Sequence, residues 1–153
     1  MGMWLDYSIP EEVRTSMEEY TRGVLDDFPE EITETPETTN TSNPFNVRDD
    51  KEQEILHETR AQAFHHAVVE LLFTRIRCRK DAQTAIAFLM TRVRKPDEDD
   101  CKKLRRFLGY LKRMIKLSLI IQADGVNVMK WWVDASYADH DDMWGHTGGT
   151  MSM

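Results

Sequence analysis

The chain has 153 residues, 41 % apolar and 31 % charged, which suits one domain of ordinary size. It contains no apolar run of about eighteen residues, and its start, MGMWLDYSIPEEV, lacks a basic stretch followed by a long apolar one, so neither a membrane helix nor a secretory leader is expected. The net charge of −7 is unevenly spread, and two cysteines, Cys78 and Cys101, are too few for a disulfide framework, so an intracellular, reducing compartment (cytoplasmic or nuclear) is expected.

In chain order, residues 3–9 (MWLDYSI) read as a short strand stopped by Pro10. Ser16 with Glu19 three residues later has the pattern of a capping box. Met17, Tyr20, Val24, Leu25 and Phe28 then recur at helical spacing until Pro29 ends the run. From Glu30 to about Lys51 the composition turns to Thr, Glu, Asn, Ser and Pro, with Ile32, Phe45 and Val47 the only substantial apolar residues. This is expected to be a mobile acidic linker. Residues 1–59 carry 4 basic and 16 acidic groups.

Three helices are expected next. The first, from about Glu52 or Glu58 to Ile76, would bury Phe64, Val68, Leu71 and Leu72. The second, about 81–93, would bury Ala85, Ile86, Leu89 and Val93. Pro96 interrupts the pattern, and Asp97 opens an acidic first turn suited to a helix dipole. The third helix, about 97–115, has a narrow apolar stripe of Cys101, Leu104, Leu108, Leu111 and Ile115. Lys102, Arg105, Arg106, Lys112, Arg113 and Lys116 cover the rest. Gly109 inside it costs roughly 1 kcal/mol relative to alanine. Residues 60–116 carry 15 basic and 6 acidic groups. A basic surplus of this kind fits either a solvated helical surface or a face that follows a phosphate backbone.

After Lys116 the apolar period becomes two. KLSLIIQ and NVMKWWVDA read as strands joined by a turn at Ala123-Asp124-Gly125, residues 139–149 as loop, and GTMSM as the start of a further strand, which gives the end of the chain the look of a truncation. Asp134, near the end of the second strand, is placed as a hard-ion ligand such as one for Mg²⁺ would be, though on the pattern alone such a residue is more often an ordinary strand-end aspartate. Asp139, His140, Asp141, Asp142 and His146 lack a metal-ligand spacing and read as a solvated loop. His66 and Glu70, at i and i+4, read as a surface hydrogen bond beside His65. HTGGT is too short and wrongly ordered for a phosphate-binding loop, and no small-molecule site is evident.

Three strings in order carry a resemblance: FHHAVVELLFTRIRCRKDAQTAIAFLMTRV, KPDEDDCKKLRRFLGYLK and KWWVDASYADHDDMWGHTGG. Together with the opening MWLDYSIPEEVRTSMEEYTRGVLDDFPEE they resemble the copia-type retrotransposon polyprotein, from the end of its reverse transcriptase to the start of its ribonuclease H. The resemblance implies an α+β chain, mainly α. Residues 1–29 would end the palm, 30–51 would be the linker, 52–116 a helical thumb and connection, and 117–153 the first strands of a truncated ribonuclease H-like sheet.

It further implies that the parent copies RNA into DNA and degrades the RNA of RNA–DNA hybrids with Mg²⁺, and that Lys102, Arg105, Arg106 and Lys112 lie toward an RNA–DNA or DNA duplex. Asp134 would be the first ribonuclease H carboxylate, catalytic and metal-binding only in a complete domain. The polymerase aspartates would precede Met1 and the other carboxylates would follow Met153, so the chain alone is expected to be inactive and to need no cofactor. The sequence also departs from the family. Arg79-Lys80-Asp81-Ala82 lacks the proline of Arg-Pro-Asp-Ile. Gly109-Tyr110-Leu111-Lys112-Arg113-Met114 replaces Arg-Tyr-Leu-Lys-Gly-Thr, and Trp144 and Gly145 stand where an arginine and a serine are usual. Such changes suit a decaying element copy or a gene-prediction fragment rather than a working enzyme; the alternative to a polyprotein remnant is a domesticated helical module whose basic face binds nucleic acid or an acidic protein.

Overall fold

A computed structural model describes residues 2–39, 45–47, 54–122, 130–136 and 146–152. The fold is α+β. In chain order the elements are β1 (Trp4–Asp6), β2 (Glu12–Ser16), α1 (Glu18–Asp27), α2 (Glu58–Arg77), a 3₁₀ turn (Lys80–Ala82), α3 (Gln83–Arg92), α4 (Glu98–Arg113), β3 (Leu119–Gln122), β4 (Lys130–Ser136) and β5 (His146–Ser152). No described helix is long and apolar enough to cross a membrane.

β1 and β2 form an antiparallel pair with Trp4 opposite Ser16 and Asp6 opposite Arg14. The turn between them is held by Asp6, whose Oδ1 accepts the Ser8 N–H at 2.9 Å, and it places Glu11 at φ 64°. A non-glycine residue in that left-handed region stores strain of the order of 1 kcal/mol. The strand over 12–16 departs from the expectation that Ser16 caps the following helix. Ser16 is the last residue of β2, Met17 holds the N-cap position, and no side chain caps α1. The capping pattern is therefore present in the sequence and unused, because Ser16 is committed to pairing with Trp4.

β3 joins the other edge of β2, with Val13 opposite Ile121 and Thr15 opposite Leu119, giving the order β1-β2-β3. β4 pairs instead with β5 in a second sheet, along seven residues from Lys130–Ser152 to Ser136–His146. The expected hairpin between the strands at 116–122 and 127–135 is thus corrected. Both strands exist, but each takes another partner, and the proposed turn at 123–125 falls outside the described residues. Period two specifies which residues can pair and says nothing of the partner, which depends on what tertiary packing brings alongside. β5 also begins at His146, three residues before the loop was expected to end.

The core lies among α1, α2, α3 and α4. Phe64, Val68 and Leu71 of α2, Ala85, Ile86 and Leu89 of α3, and Cys101, Leu104, Leu108 and Leu111 of α4 are all buried, as the spacing predicts. Leu72 and Val93 are partly buried against this core, and Ile115 lies beyond the end of α4. The buried side of α4 is wider than a narrow stripe, for Phe107 and Tyr110 are buried as well. A helix packed on several sides hides more than one row of residues.

α4 begins with a capping box. The Asp97 carboxylate accepts the Asp100 N–H at 2.8 Å, and Asp100 accepts the Asp97 N–H at 3.1 Å. Arg92 binds Asp100 at 2.9 Å and approaches Asp97 at 3.8 Å, so α3 is tied to the start of α4. Burial raises the Asp100 pKa above its ordinary value despite the Arg92 bond. The opposite end of α4 is met by Arg79, which donates to the Met114 carbonyl at 3.0 Å. Arg79 is 2 % exposed, pairs with Asp81 at 2.7 Å and lies over the Tyr110 ring, whose hydroxyl donates to Asp81 at 2.7 Å. The turn over residues 79–82 is therefore held by an Arg79–Asp81–Tyr110 network.

Candidate nucleic-acid interface

α4 is helical because its cap, its acidic first turn and its apolar rows agree, and those features leave its cations on the outer side. Lys102, Lys112 and Arg113 are exposed, and Arg105 and Arg106 are half-buried. The structure places the four residues expected to approach a duplex on one helix, yet none of them is left to solvent alone.

Lys102 pairs with Asp99 on its own helix at 3.2 Å. The others meet the acidic segment that follows α1. Arg105 lies 3.4 Å from Glu30, Arg106 donates to the Thr38 hydroxyl at 3.3 Å, and Lys112 donates to the Ile32 carbonyl at 3.4 Å. Arg113 donates to the Thr35 carbonyl at 3.4 Å and pairs with Glu37 at 2.6 Å. Glu31 and Glu34 line a shallow groove with Lys102, Lys103, Arg105 and Arg106. Residues 30–39 carry no helix or strand. They run over α4 as a strap, and Ile32, Phe45 and Val47 pack against the core.

Two features seat the strap. At its start Glu30 accepts a hydrogen bond from Arg60 at 2.7 Å, and Arg60 also binds Glu98 at the head of α4. Burial alone would raise the Glu30 pKa, but the Arg60 hydrogen bond and the Arg60 and Arg105 charges outweigh it and hold the carboxyl below its ordinary value. The second feature is Gly109. A Cβ there would meet the Glu34 carbonyl oxygen at 2.0 Å, the Glu34 carbonyl carbon at 3.0 Å and Pro36 Cδ at 3.1 Å. The strap backbone crosses α4 where the helix has no side chain.

Lys103 is a cation of a different kind. Its ammonium lies 4.4 Å from the centre of the Phe88 ring, it donates to the Asn46 carbonyl, and burial lowers its pKa. It acts in packing rather than as an outward contact. Cys101 is buried beside Glu30 and Arg60, and burial with the nearby Glu30 charge pushes its thiol up to about 11. Cys78 is buried and donates to the Thr15 carbonyl at 3.0 Å. Both thiols serve as small buried side chains, as expected.

Asp134 lies in β4 opposite Gly148 of β5. Asp139, His140, Asp141 and Asp142 fall outside the described residues, and among the described ones no group of three or more His, Cys, Asp or Glu side chains could hold a metal ion. His66 comes within 3.5 Å of Glu70 on the exposed side of α2.

The residues that sequence reasoning missed are Glu30, Arg60 and the strap backbone. Gly109 was the one signal available: a glycine in an otherwise strongly patterned helix marks a close backbone approach as readily as a weakness. No protein-family model, curated protein or solved structure matches this chain.

Proposed function

We propose that this chain is the thumb-and-connection end of a copia-type reverse transcriptase joined to the opening strands of its ribonuclease H, and that it has no catalytic activity by itself. The helical segment then serves to hold an RNA–DNA or DNA duplex in the parent protein through the outer side of α4. The observation that carries the reading is the order of elements: a helical segment ending in the cationic α4 is followed by β3, which returns to β2, and then by β4, with Asp134, paired along seven residues with β5. That order agrees with the three strings on which the resemblance rests.

Phosphodiester hydrolysis through two metal ions needs several carboxylates around a shared pair of ions. Asp134 is one carboxylate, and a single carboxylate binds Mg²⁺ poorly because the ion keeps most of its waters. The donor set among the described residues does not fit the pair of ions, and no hydrolytic step is assigned to it. The test joins this chain to the ribonuclease H portion of an intact copia-type relative. The chimera should cleave the RNA of a hybrid with Mg²⁺, and Asp134→Asn should abolish that cleavage. Cleavage indifferent to Asp134, or Asp134-dependent cleavage by the 153-residue chain alone, would refute the assignment.

A second reading, a helical module that binds nucleic acid or an acidic protein in its own right, is favoured by one observation. The cationic residues of α4 stand together on one helix, whereas among the described residues no group of three or more His, Cys, Asp or Glu side chains could hold a metal ion. Binding of a duplex by the isolated chain, with affinity falling steeply as salt rises, is the outcome that this reading requires.

A further inference from the structure

The outer side of α4 already has an occupant, and the occupant offers the same chemistry that a nucleic-acid backbone would. The carbonyls of Ile32 and Thr35, the hydroxyl of Thr38 and the carboxylate of Glu37 are oxygen acceptors set against Lys112, Arg113 and Arg106. We propose that residues 33–38 are a resident cover of the α4 cationic face, displaced when the phosphate backbone of a duplex binds there. The inference rests on the proposed duplex-holding role of that face.

The strap is held unequally along its length. Its start is secured by Glu30, which Arg60 binds at 2.7 Å, and by Ile32, which packs against the core. No side chain of residues 33–38 belongs to that core. The contacts of Thr38 with Arg106 and of Thr35 with Arg113 are long, at 3.3 and 3.4 Å, and the Arg113–Glu37 pair has side chains 45 % and 78 % exposed. Exposed pairs of this kind contribute little to stability. The cover is also an imperfect substitute. Arg106 leaves its Nε buried with no hydrogen-bond partner, beside a neutral hydroxyl on Nη2. A phosphate would offer that guanidinium charged oxygens in a matching fork, and charge-assisted bonds are the stronger kind. The two occupants exclude each other, since Glu34 and Glu37 would stand against the incoming phosphates.

Gly109 makes the idea testable without altering any charge. Because a Cβ at that position would fall 2.0 Å from the Glu34 carbonyl oxygen, Gly109→Ala should lift the cover and leave every cation in place. When a binding surface is only fractionally open, apparent affinity is reduced by that fraction, so opening it restores the loss. Binding of a short RNA–DNA hybrid would be measured by fluorescence anisotropy at fixed salt on the full chain and on Gly109→Ala. Tightening by roughly five-fold or more is expected. Adding Arg105→Gln, Arg106→Gln and Lys112→Gln to that variant should remove the gain.

Hydrogen exchange on the unaltered chain gives a second readout, which decides the matter even if the alanine variant fails to fold. Amides of residues 33–38 should exchange faster when the hybrid is bound. Equal affinity for the two proteins, or slower exchange of 33–38 in the complex, overturns the cover while leaving a cation-dependent duplex face standing. No binding by either protein overturns both. The Asp134 chimera reports on the polyprotein reading separately.

Discussion

Replacing Gly109 by alanine tests the fold as well as the face. On helix propensity alone the change should stabilise α4 by about 1 kcal/mol. The added methyl would, however, sit 2.0 Å from the Glu34 oxygen, where an ordinary contact is about 3.5 Å, so the strap backbone must retreat by roughly 1.5 Å. Retreat on that scale breaks the contacts of Arg113 with Thr35 and Glu37 and of Arg106 with Thr38. These are exposed or half-exposed, and each is worth about 0–1 kcal/mol. The gain in the helix and the loss in the strap therefore nearly cancel, and urea denaturation should place the variant within about 1 kcal/mol of the parent. The strap should nevertheless become a site of fast amide exchange and early proteolysis, while α4 keeps its protection. A variant more stable by the full helical increment, with residues 33–38 as protected as before, would mean that the strap does not cross α4 at Gly109.

Three further outcomes follow from the network around α4. Asp97→Ala removes the carboxylate that caps the Asp100 N–H and the approach of Arg92, while keeping the N–H of residue 97 that Asp100 accepts, and should cost about 2 kcal/mol in urea unfolding, at the upper end for such caps. Asp81→Ala leaves the buried Arg79 without its carboxylate and the Tyr110 hydroxyl without its acceptor, and should destabilise by about 3 kcal/mol; a loss below about 1 kcal/mol would deny the network its role. The pH dependence has a definite sign. Burial alone would raise the Asp81 pKa, but hydrogen bonds from Arg79 and Tyr110 bring it below 3.8, and Glu30 is likewise held below 4.5 by Arg60. Both carboxylates therefore contribute stability that is present above their unfolded pKa values and lost as pH falls through the lower folded ones. Asp100, whose pKa is raised, works the other way, favouring the fold as it takes up its proton. Melting temperatures should fall as the pH drops below about 4.5, and Asp81→Asn combined with Glu30→Gln should flatten that fall.

The sequence by itself determined most of the local elements, β2 excepted. α2, α3 and α4 appear within a few residues of their expected bounds, because a helix is declared by the spacing of its apolar residues and by the proline and aspartates at its ends. The buried rows of Phe64, Val68 and Leu71 and of Leu104, Leu108 and Leu111 follow from the same periodicity. Strand character at 119–122 and 130–136 was equally legible.

Tertiary structure decided everything that depends on which distant residues meet. It brought Leu119–Gln122 to β2 rather than to β4, and it committed Ser16 to a strand instead of a cap. It also joined Arg79 to Met114 across 35 residues and laid the acidic strap over the cations of α4. Charge, unlike apolar spacing, carries no address. An arginine row meets a phosphate and a row of peptide carbonyls by the same attraction, so the residues that expose the α4 face in sequence could not reveal that the chain itself covers it.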